Sequence, residues 1–131
     1  KLEGKENAVE EAVQRIRKRL QDQFAENPSA AEVPMIELGE KQMTGLAYTK
    51  GMLFFYFLYE IMGEKSFLET VGAFYQKYAG SGAAAREFVE FFQSKADMDL
   101  EPLMQDWIFT AESSKLIRSD MAVEEILKRY L

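Results

Sequence analysis

The 131-residue chain contains no histidine and no cysteine, and each absence removes a class of functional site. Without histidine there is no Ser-His or Cys-His nucleophile pair, no imidazole general base and no common zinc site. Without cysteine there are no disulfides and no thiolate metal sites, so the composition permits a cytosolic compartment and an extracytoplasmic one alike. The chain therefore lacks a complete catalytic site of the histidine- or zinc-dependent kinds.

Basic residues are fewer than acidic ones: the chain has 16 Lys and Arg and 22 Asp and Glu, which gives a net charge of -6. This balance argues against binding to nucleic acid or to an anionic membrane surface. Residues 15–19 form one basic cluster, but the glutamates just before it cancel its field. The longest apolar run, residues 52–59, is shorter than the roughly 20 residues needed to cross a bilayer. We therefore expect neither nucleic-acid binding nor membrane insertion.

Apolar residues at helical spacing are plentiful, and 47% hydrophobic with 29% charged residues is an ordinary globular composition. The spacing predicts one all-α domain over residues 1–131, a compact bundle of about six helices around a central apolar helix. Within it we expect an amphipathic helix and connecting loop (1–46), a helical core (47–110) and a C-terminal helix (111–131).

The individual helices follow from the same spacing and from candidate caps. They are predicted over about 7–26, 52–62, 66–79, 83–95, 100–109 and from about 120 onward. Residues 28–46 and 113–119 are predicted connections, with a short extended piece at 33–38. Ser66, Asp99 and either Ser119 or Asp120 are the expected caps. Val9 on the first helix, and Leu68 and Tyr75 on the third, are expected to face the core.

Carboxylates are the only acidic metal ligands present, and they form no recognisable site. Glu10 with Glu11, Glu124 with Glu125, and Asp97 near Asp99 are best interpreted as solvated surface. The Gly-Ser-Gly stretch at 80–82 lacks the Lys and the Ser or Thr of a phosphate loop and is interpreted as a turn. A hydrolase with a wholly carboxylate-based site remains a distant alternative.

Tyr48 is the remaining candidate, because it lies at the predicted junction of a loop and the apolar helix. A phenol at such a place can offer its hydroxyl to a cleft, and it stays neutral near neutral pH. Such a donor can stabilise the oxyanion that develops during acyl transfer. Taken alone, the pattern favours a packing tyrosine with a solvated tip.

Several short motifs, taken in order, resemble the gluzincin zinc aminopeptidases, the family typified by aminopeptidase N. The first is the Tyr-x-Lys-Gly pattern at 47–51 (Ala-Tyr-Thr-Lys-Gly), followed by an apolar helix. Then come Met-Gly-Glu-Lys-Ser-Phe at 62–67, a helix ending in Phe-Tyr-Gln-Lys-Tyr at 74–78, and Asp-Leu-Glu-Pro-Leu-Met-Gln-Asp-Trp at 99–107. The resemblance covers about residues 46–109, roughly half of the chain.

The resemblance implies the helical, C-terminal part of a thermolysin-like catalytic domain. In that family a zinc-bound water attacks the peptide carbonyl, and the tyrosine of the motif donates a hydrogen bond to the resulting oxyanion. That role carries over to Tyr48, while Lys50, Gly51 and Trp107 carry over as structural motif residues. No cofactor is expected in this chain, and zinc and a peptide substrate are expected in the parent protein.

The zinc half of the family's site has no counterpart here. The His-Glu-x-x-His helix and the Gly-x-Met-Glu-Asn motif for the substrate amine are both missing. We expect the chain to be an excised piece of a metallopeptidase, inactive alone, whose partner is the upstream zinc-binding half. A degenerate relative, or a helical scaffold or interaction module without chemistry, is the alternative. Excision predicts an exposed face that is apolar or unfavourably polar, with self-association or a large groove near residues 43–55.

Overall fold

The computed structural model of the chain describes residues 2–38, 44–80 and 84–131, with the side chains of 2–7 and of Thr44 outside that description. Every regular element in this part is helical, and no strand occurs in it. The α-helices are α1 (Leu2–Glu26), α2 (Thr44–Met62), α3 (Glu64–Tyr78), α4 (Ala85–Lys95), α5 (Glu101–Met104), α6 (Glu112–Arg118) and α7 (Val123–Lys128). The predicted all-α class is confirmed, with about seven helices in place of six.

Helix α1 buries a face built from residues three and four positions apart. Val13, Leu20 and Phe24 are each at most 5% exposed, because this spacing keeps them on one side of the helix. The prediction that Val9 faces the core is wrong, since its side chain is 49% exposed. Residues 8–11 are all exposed, so α1 contacts the core only beyond them.

Helix α2 supplies much of the apolar core and packs against α1 on one side and α3 on another. Its second half buries the side chains Leu53, Phe54, Phe57, Leu58, Ile61 and Met62. The helix begins at Thr44, so residues 44–46, expected to belong to a connection, form its first turn. Although α2 is apolar on every side, it is not fully enclosed, and this leaves aromatic surface in contact with solvent.

The link between α1 and α2 is more regular than predicted. Pro28–Glu32 and Met35–Glu37 are both 3₁₀ turns, so the extended piece predicted at 33–38 is wrong. Short-range hydrogen bonds, such as Leu38 N to Met35 O at 3.2 Å, close the second turn. Leu38 is fully buried and anchors this end of the link to the core. Residues 39–43 of the predicted connection lie outside the described part.

Helix α3 follows α2 after a single residue, Gly63. Gly63 has a φ of 86°, a conformation that glycine adopts without strain, and its carbonyl accepts from Phe67 N at 2.9 Å. Gly63 is therefore the cap, and the prediction that Ser66 caps this helix is wrong. The prediction that Leu68 and Tyr75 face the core is also wrong, because they are 56% and 74% exposed.

The inner face of α3 meets α4 through aromatic rings. The Phe74 ring lies edge-on to that of Phe88, with centroids 5.3 Å apart. Phe88 in turn stacks on Phe92 at 4.3 Å. Such contacts add to the free energy gained by burying the rings alone. At the start of α4, the Glu87 carboxylate accepts from Ala84 N at 3.0 Å and satisfies an otherwise free donor.

Helix α5 continues as a π-helical turn, Gln105–Phe109, in which Thr110 N donates to Gln105 O at 3.0 Å. The wider turn lets neighbouring side chains, Trp107 and Ile108, both lie in the core. Asp99 does bond the start of α5, since its carboxylate accepts from Glu101 N at 2.9 Å.

Two details of the C-terminal part differ from the prediction. Residues 113–119, predicted to be a connection, mostly belong to α6, which buries Leu116 and Ile117. The last helix begins at Val123, where the Glu125 carboxylate accepts from Ala122 N at 3.2 Å. The prediction of a Ser119 or Asp120 cap is therefore wrong for α7.

Candidate functional site

Tyr48 lies one turn inside α2, and its side chain is 72% exposed. It is not at the loop-to-helix junction that we expected, because the helix begins four residues earlier. The surrounding helix is well packed, so the backbone that carries this phenol is fixed while the ring itself faces solvent. The structure therefore places Tyr48 where its hydroxyl is free to meet a group outside this chain.

Tyr48 belongs to a line of side chains that run along the outer side of α2. Met52, Phe55 and Tyr59 follow it at four-, three- and four-residue steps, which places all four on one side of the helix. Phe55 is 41% exposed, and Met52 and Tyr59 are partly buried. Phe67 of α3 covers the far end, with its ring centroid 6.1 Å from that of Phe55. This outer stripe is the largely apolar surface of α2.

Lys50 lies only two residues from Tyr48 but points the opposite way. Two positions on an α-helix are separated by roughly 200° around the axis, so one side chain can face solvent and the other the core. Lys50 is 1% exposed, and its burial lowers the pKa of the ammonium group to about 8. Such an amine is partly neutral just above physiological pH.

Ser114 of α6 accompanies the Lys50 amine, and the adjacent Ser113 is buried as well. Lys50 Nζ donates to Ser114 Oγ at 3.5 Å, and Ser114 is 2% exposed. Ser113 is fully buried, and its hydroxyl has no hydrogen-bond partner among the residues that the structure describes. The sequence did not predict this cluster, because residues 113–119 were expected to form a connection. The apolar pair Leu116 and Ile117, three residues after the serines, is the sequence signal that could have predicted a helix here.

The other motif residues have structural environments. Trp107 is fully buried, and its indole N–H donates to Tyr130 Oη at 3.2 Å. Tyr130 donates in turn to the Asp106 carboxylate at 2.8 Å, and burial, with that carboxylate, raises the pKa of Tyr130 above its ordinary value. At Gly51 a side-chain Cβ would meet no atom within 4 Å, so packing does not explain why glycine occupies this position.

Two surface grooves lie beside α5 and α6, and residues 44–55 are not part of the lining of either. One, of about 540 Å³, lies between α4 and the α5 region and is lined by Arg86, Glu90, Asp99, Glu101, Met104 and Phe109 among others. In it the Arg86 guanidinium lies 5.3 Å from the Phe109 ring centroid. The second, of about 430 Å³, has Ser114 in its lining, together with Glu32, Thr110, Glu112, Lys115 and Arg118. The expected groove at 43–55 stays a prediction, and residue 43 lies outside the described part.

The described part of the chain offers no ready metal site. In residues 2–38, 44–80 and 84–131, no three Asp or Glu side chains come together in a way that could hold an ion. None of the helices in the same ranges is both long and apolar enough to cross a bilayer.

The arrangement thus contains one exposed phenol on α2 and, on the opposite side of the same helix, one buried amine beside the Ser114 hydroxyl. The first can donate a hydrogen bond to a group outside the chain, and the second can exchange a proton within it. Comparisons of the chain with protein-family models, with curated proteins and with solved structures found no match.

Proposed function

We propose that this chain is the helical portion of a zinc-dependent aminopeptidase-like protein that removes N-terminal residues from peptides. In this proposal it is the C-terminal half of a thermolysin-like catalytic domain and supplies Tyr48 as an oxyanion donor. The metal ligands belong to the upstream half of the parent protein, and the isolated chain is inactive.

The observation that carries the proposal is the exposure of Tyr48 on a rigid helix. An oxyanion donor must be presented to the reacting carbonyl without a large reorganisation at the moment of reaction. Tyr48 is 72% exposed, and α2 below it is held by a buried core that includes Phe54 and Leu58. A tyrosine whose hydroxyl was bonded inside the domain would instead favour a purely structural role.

The outer stripe of α2 also supports an interface with the upstream half. Phe55 is 41% exposed, although an aromatic side chain in the middle of an apolar helix is ordinarily buried. An apolar surface next to the donor gives the missing half a place to pack and would exclude water from the oxyanion.

A non-catalytic helical scaffold or interaction module is the second candidate. Leu68 and Tyr75 favour it, because they form an apolar strip on α3 that is 56% and 74% exposed. This strip lies on a helix other than the one that carries Tyr48, so it would serve a partner without any chemistry at the phenol.

The test is peptidase activity of the full-length parent on aminoacyl chromogenic substrates, with Tyr48→Phe beside the wild type. Removing an oxyanion donor should lower kcat roughly 10²- to 10³-fold, and a chelator should abolish the activity. Tyr75→Phe is a matched control, because Tyr75 is 74% exposed on the neighbouring helix and loses the same hydroxyl.

The outcomes separate the two candidates. Loss of kcat in Tyr48→Phe but not in Tyr75→Phe supports the aminopeptidase proposal. An inactive parent, or equal rates in all three proteins, favours the scaffold.

A further inference from the structure

We propose that Ser114 and Lys50 form a serine–lysine acyl-transfer site, in which Ser114 Oγ attacks small activated esters and Lys50 Nζ is its general base. The site would act within this chain, on the opposite side of α2 from Tyr48, and it does not depend on the aminopeptidase proposal.

The first support is the order of the groups from solvent inward. Ser114 is part of the lining of the groove of about 430 Å³ between α6 and the first 3₁₀ turn, Pro28–Glu32. Lys50 does not line that groove; it lies behind Ser114, with its Nζ 3.5 Å from Ser114 Oγ. Only 2% of the Ser114 surface is exposed, so a small ester that enters the groove must open its wall slightly to reach the hydroxyl, behind which the amine lies. This is the order that a nucleophile and its base require.

The second support is the state of the amine. Lys50 is 1% exposed, and burial alone lowers its pKa to about 8. A general base works best when its pKa lies near the working pH, because enough of it is neutral and it still accepts a proton readily. In the neutral form Nζ accepts a hydrogen bond from Ser114 Oγ, which reverses the bond made by the charged form.

The reaction balances with no other reagent than water. As Ser114 Oγ bonds to the ester carbonyl carbon, its proton moves to Lys50 Nζ and the carbonyl π electrons move to oxygen. Collapse of this intermediate breaks the bond to the leaving alkoxide or phenoxide, which takes up the proton from Nζ or from water. Ser114 is then O-acylated, and attack by water, with Lys50 again accepting the proton, releases the acid and restores the hydroxyl.

The size and charge of the groove indicate the class of ester. A volume of about 430 Å³ is at the lower end of the range for small-molecule sites. Lys115 pairs with Glu112 at 3.3 Å, so part of the charge around the groove is already neutralised. Both features favour short acyl groups over a polypeptide substrate.

The experiment is to incubate the 131-residue chain with 4-nitrophenyl acetate and to locate the acetyl group by peptide mass mapping. We expect an acetyl group on Ser114 that hydroxylamine removes, because it cleaves esters but leaves acetylated lysines intact. Labelling should accelerate as the pH rises through about 8. Lys50→Met should slow it at least ~10²-fold, the usual contribution of a general base.

The matched control is Ser113→Ala, which removes the adjacent buried hydroxyl, unpartnered within the described part of the chain, and should leave labelling unchanged. Ser114→Ala should abolish the label, and Ser114→Cys should restore a hydroxylamine-sensitive one. Circular dichroism of each variant identifies loss of folding. Three results would overturn the proposal: no label on folded wild-type protein, a labile label that persists in Ser114→Ala, or a rate indifferent to Lys50→Met. Labelling of the 131-residue chain needs neither zinc nor the upstream half, so this test is independent of the aminopeptidase test.

Discussion

The Arg17 guanidinium of α1 donates to the carbonyl oxygen of Ser119, just past α6, at 2.8 Å. It also bonds the carbonyls of Ile117 and Leu116 at 3.2 and 3.3 Å. Gln21 adds a bond to Ile117 O at 2.9 Å. The last carbonyls of a helix have no partner within it, and a positive charge there is favoured by the helix dipole. A basic residue of α1, only 7% exposed, therefore caps α6 across the core.

Replacing Arg17 should destabilise the fold. In Arg17→Met the Ser119 carbonyl loses its donor, and the carbonyls of Ile117 and Leu116 keep their bonds from Gln21 and Ser119 without that from Arg17, at a cost of about 2–3 kcal/mol. Urea unfolding monitored by circular dichroism measures the change. Lys18→Met is the control: Lys18 makes only an exposed bond to Asp22, so it should shift stability by less than about 0.5 kcal/mol. Equal losses in the two variants would contradict the capping role.

Replacing Lys50 should have the opposite effect. Its pKa is about 8 in the folded chain against 10.5 when solvated, so burial disfavours the charged form. Lys50→Met keeps the length of the side chain and removes the charge, so it should stabilise the fold at pH 7 by up to about 3 kcal/mol. A lower melting temperature in this variant would contradict the prediction.

The same residue makes the wild-type fold more stable at alkaline pH. Below pH 8 Lys50 is charged in both states, and the cost of burying its charge is present in full. Between about pH 8 and 10.5 the unfolded chain binds more protons than the folded one, so stability rises with pH across this window. Unfolding at several pH values measures the slope, and its Lys50 component should be missing in Lys50→Met.

Ser113→Ala should stabilise the fold modestly. The Ser113 hydroxyl is fully buried and has no partner in the described ranges 2–38, 44–80 and 84–131, so the folded state loses the hydrogen bonds that water provides in the unfolded chain. Its removal should gain about 1 kcal/mol. Ser114→Ala removes a hydroxyl that does have a partner, Lys50 Nζ, and should give no such gain. Thermal unfolding of the two variants side by side decides the point.

Tyr130→Phe should loosen the attachment of α7. The phenol accepts from the Trp107 indole at 3.2 Å and donates to Asp106 at 2.8 Å, so its loss leaves a buried N–H without a partner. We expect a cost of about 1–3 kcal/mol. Trp107 is the only tryptophan, so its fluorescence should shift as well. Tyr75→Phe is the control, because Tyr75 is 74% exposed.

Hydrophobic spacing predicted the helices that have an apolar inner face. It located α1, α3 and α4 closely, because their buried and half-buried apolar residues recur at three- and four-residue steps. It failed for α6, a helix of seven residues that is held by Arg17 from α1. A contact between residues 100 positions apart leaves no local signal in the sequence.

The same distinction applies to the candidate site. The spacing of Tyr48 and Lys50 follows from the motif, and helix geometry alone requires them to face different ways. Which of the two faces the core depends on where α1, α3 and α6 pack, and this is a property of the whole fold. The pairing of Lys50 with Ser114 could not be predicted for the same reason.

The capping of α6 by Arg17 also sets an order of events during synthesis. A ribosome adds roughly 5–20 residues per second, so the carbonyls of residues 116–119 are made about 5–20 seconds after Arg17. During this interval α1 can form, but its arginine remains hydrated and the side that will face α6 stays uncovered. Although α1 can pack on α2 well before then, its side facing α6 is therefore among the last parts of the described fold to be covered.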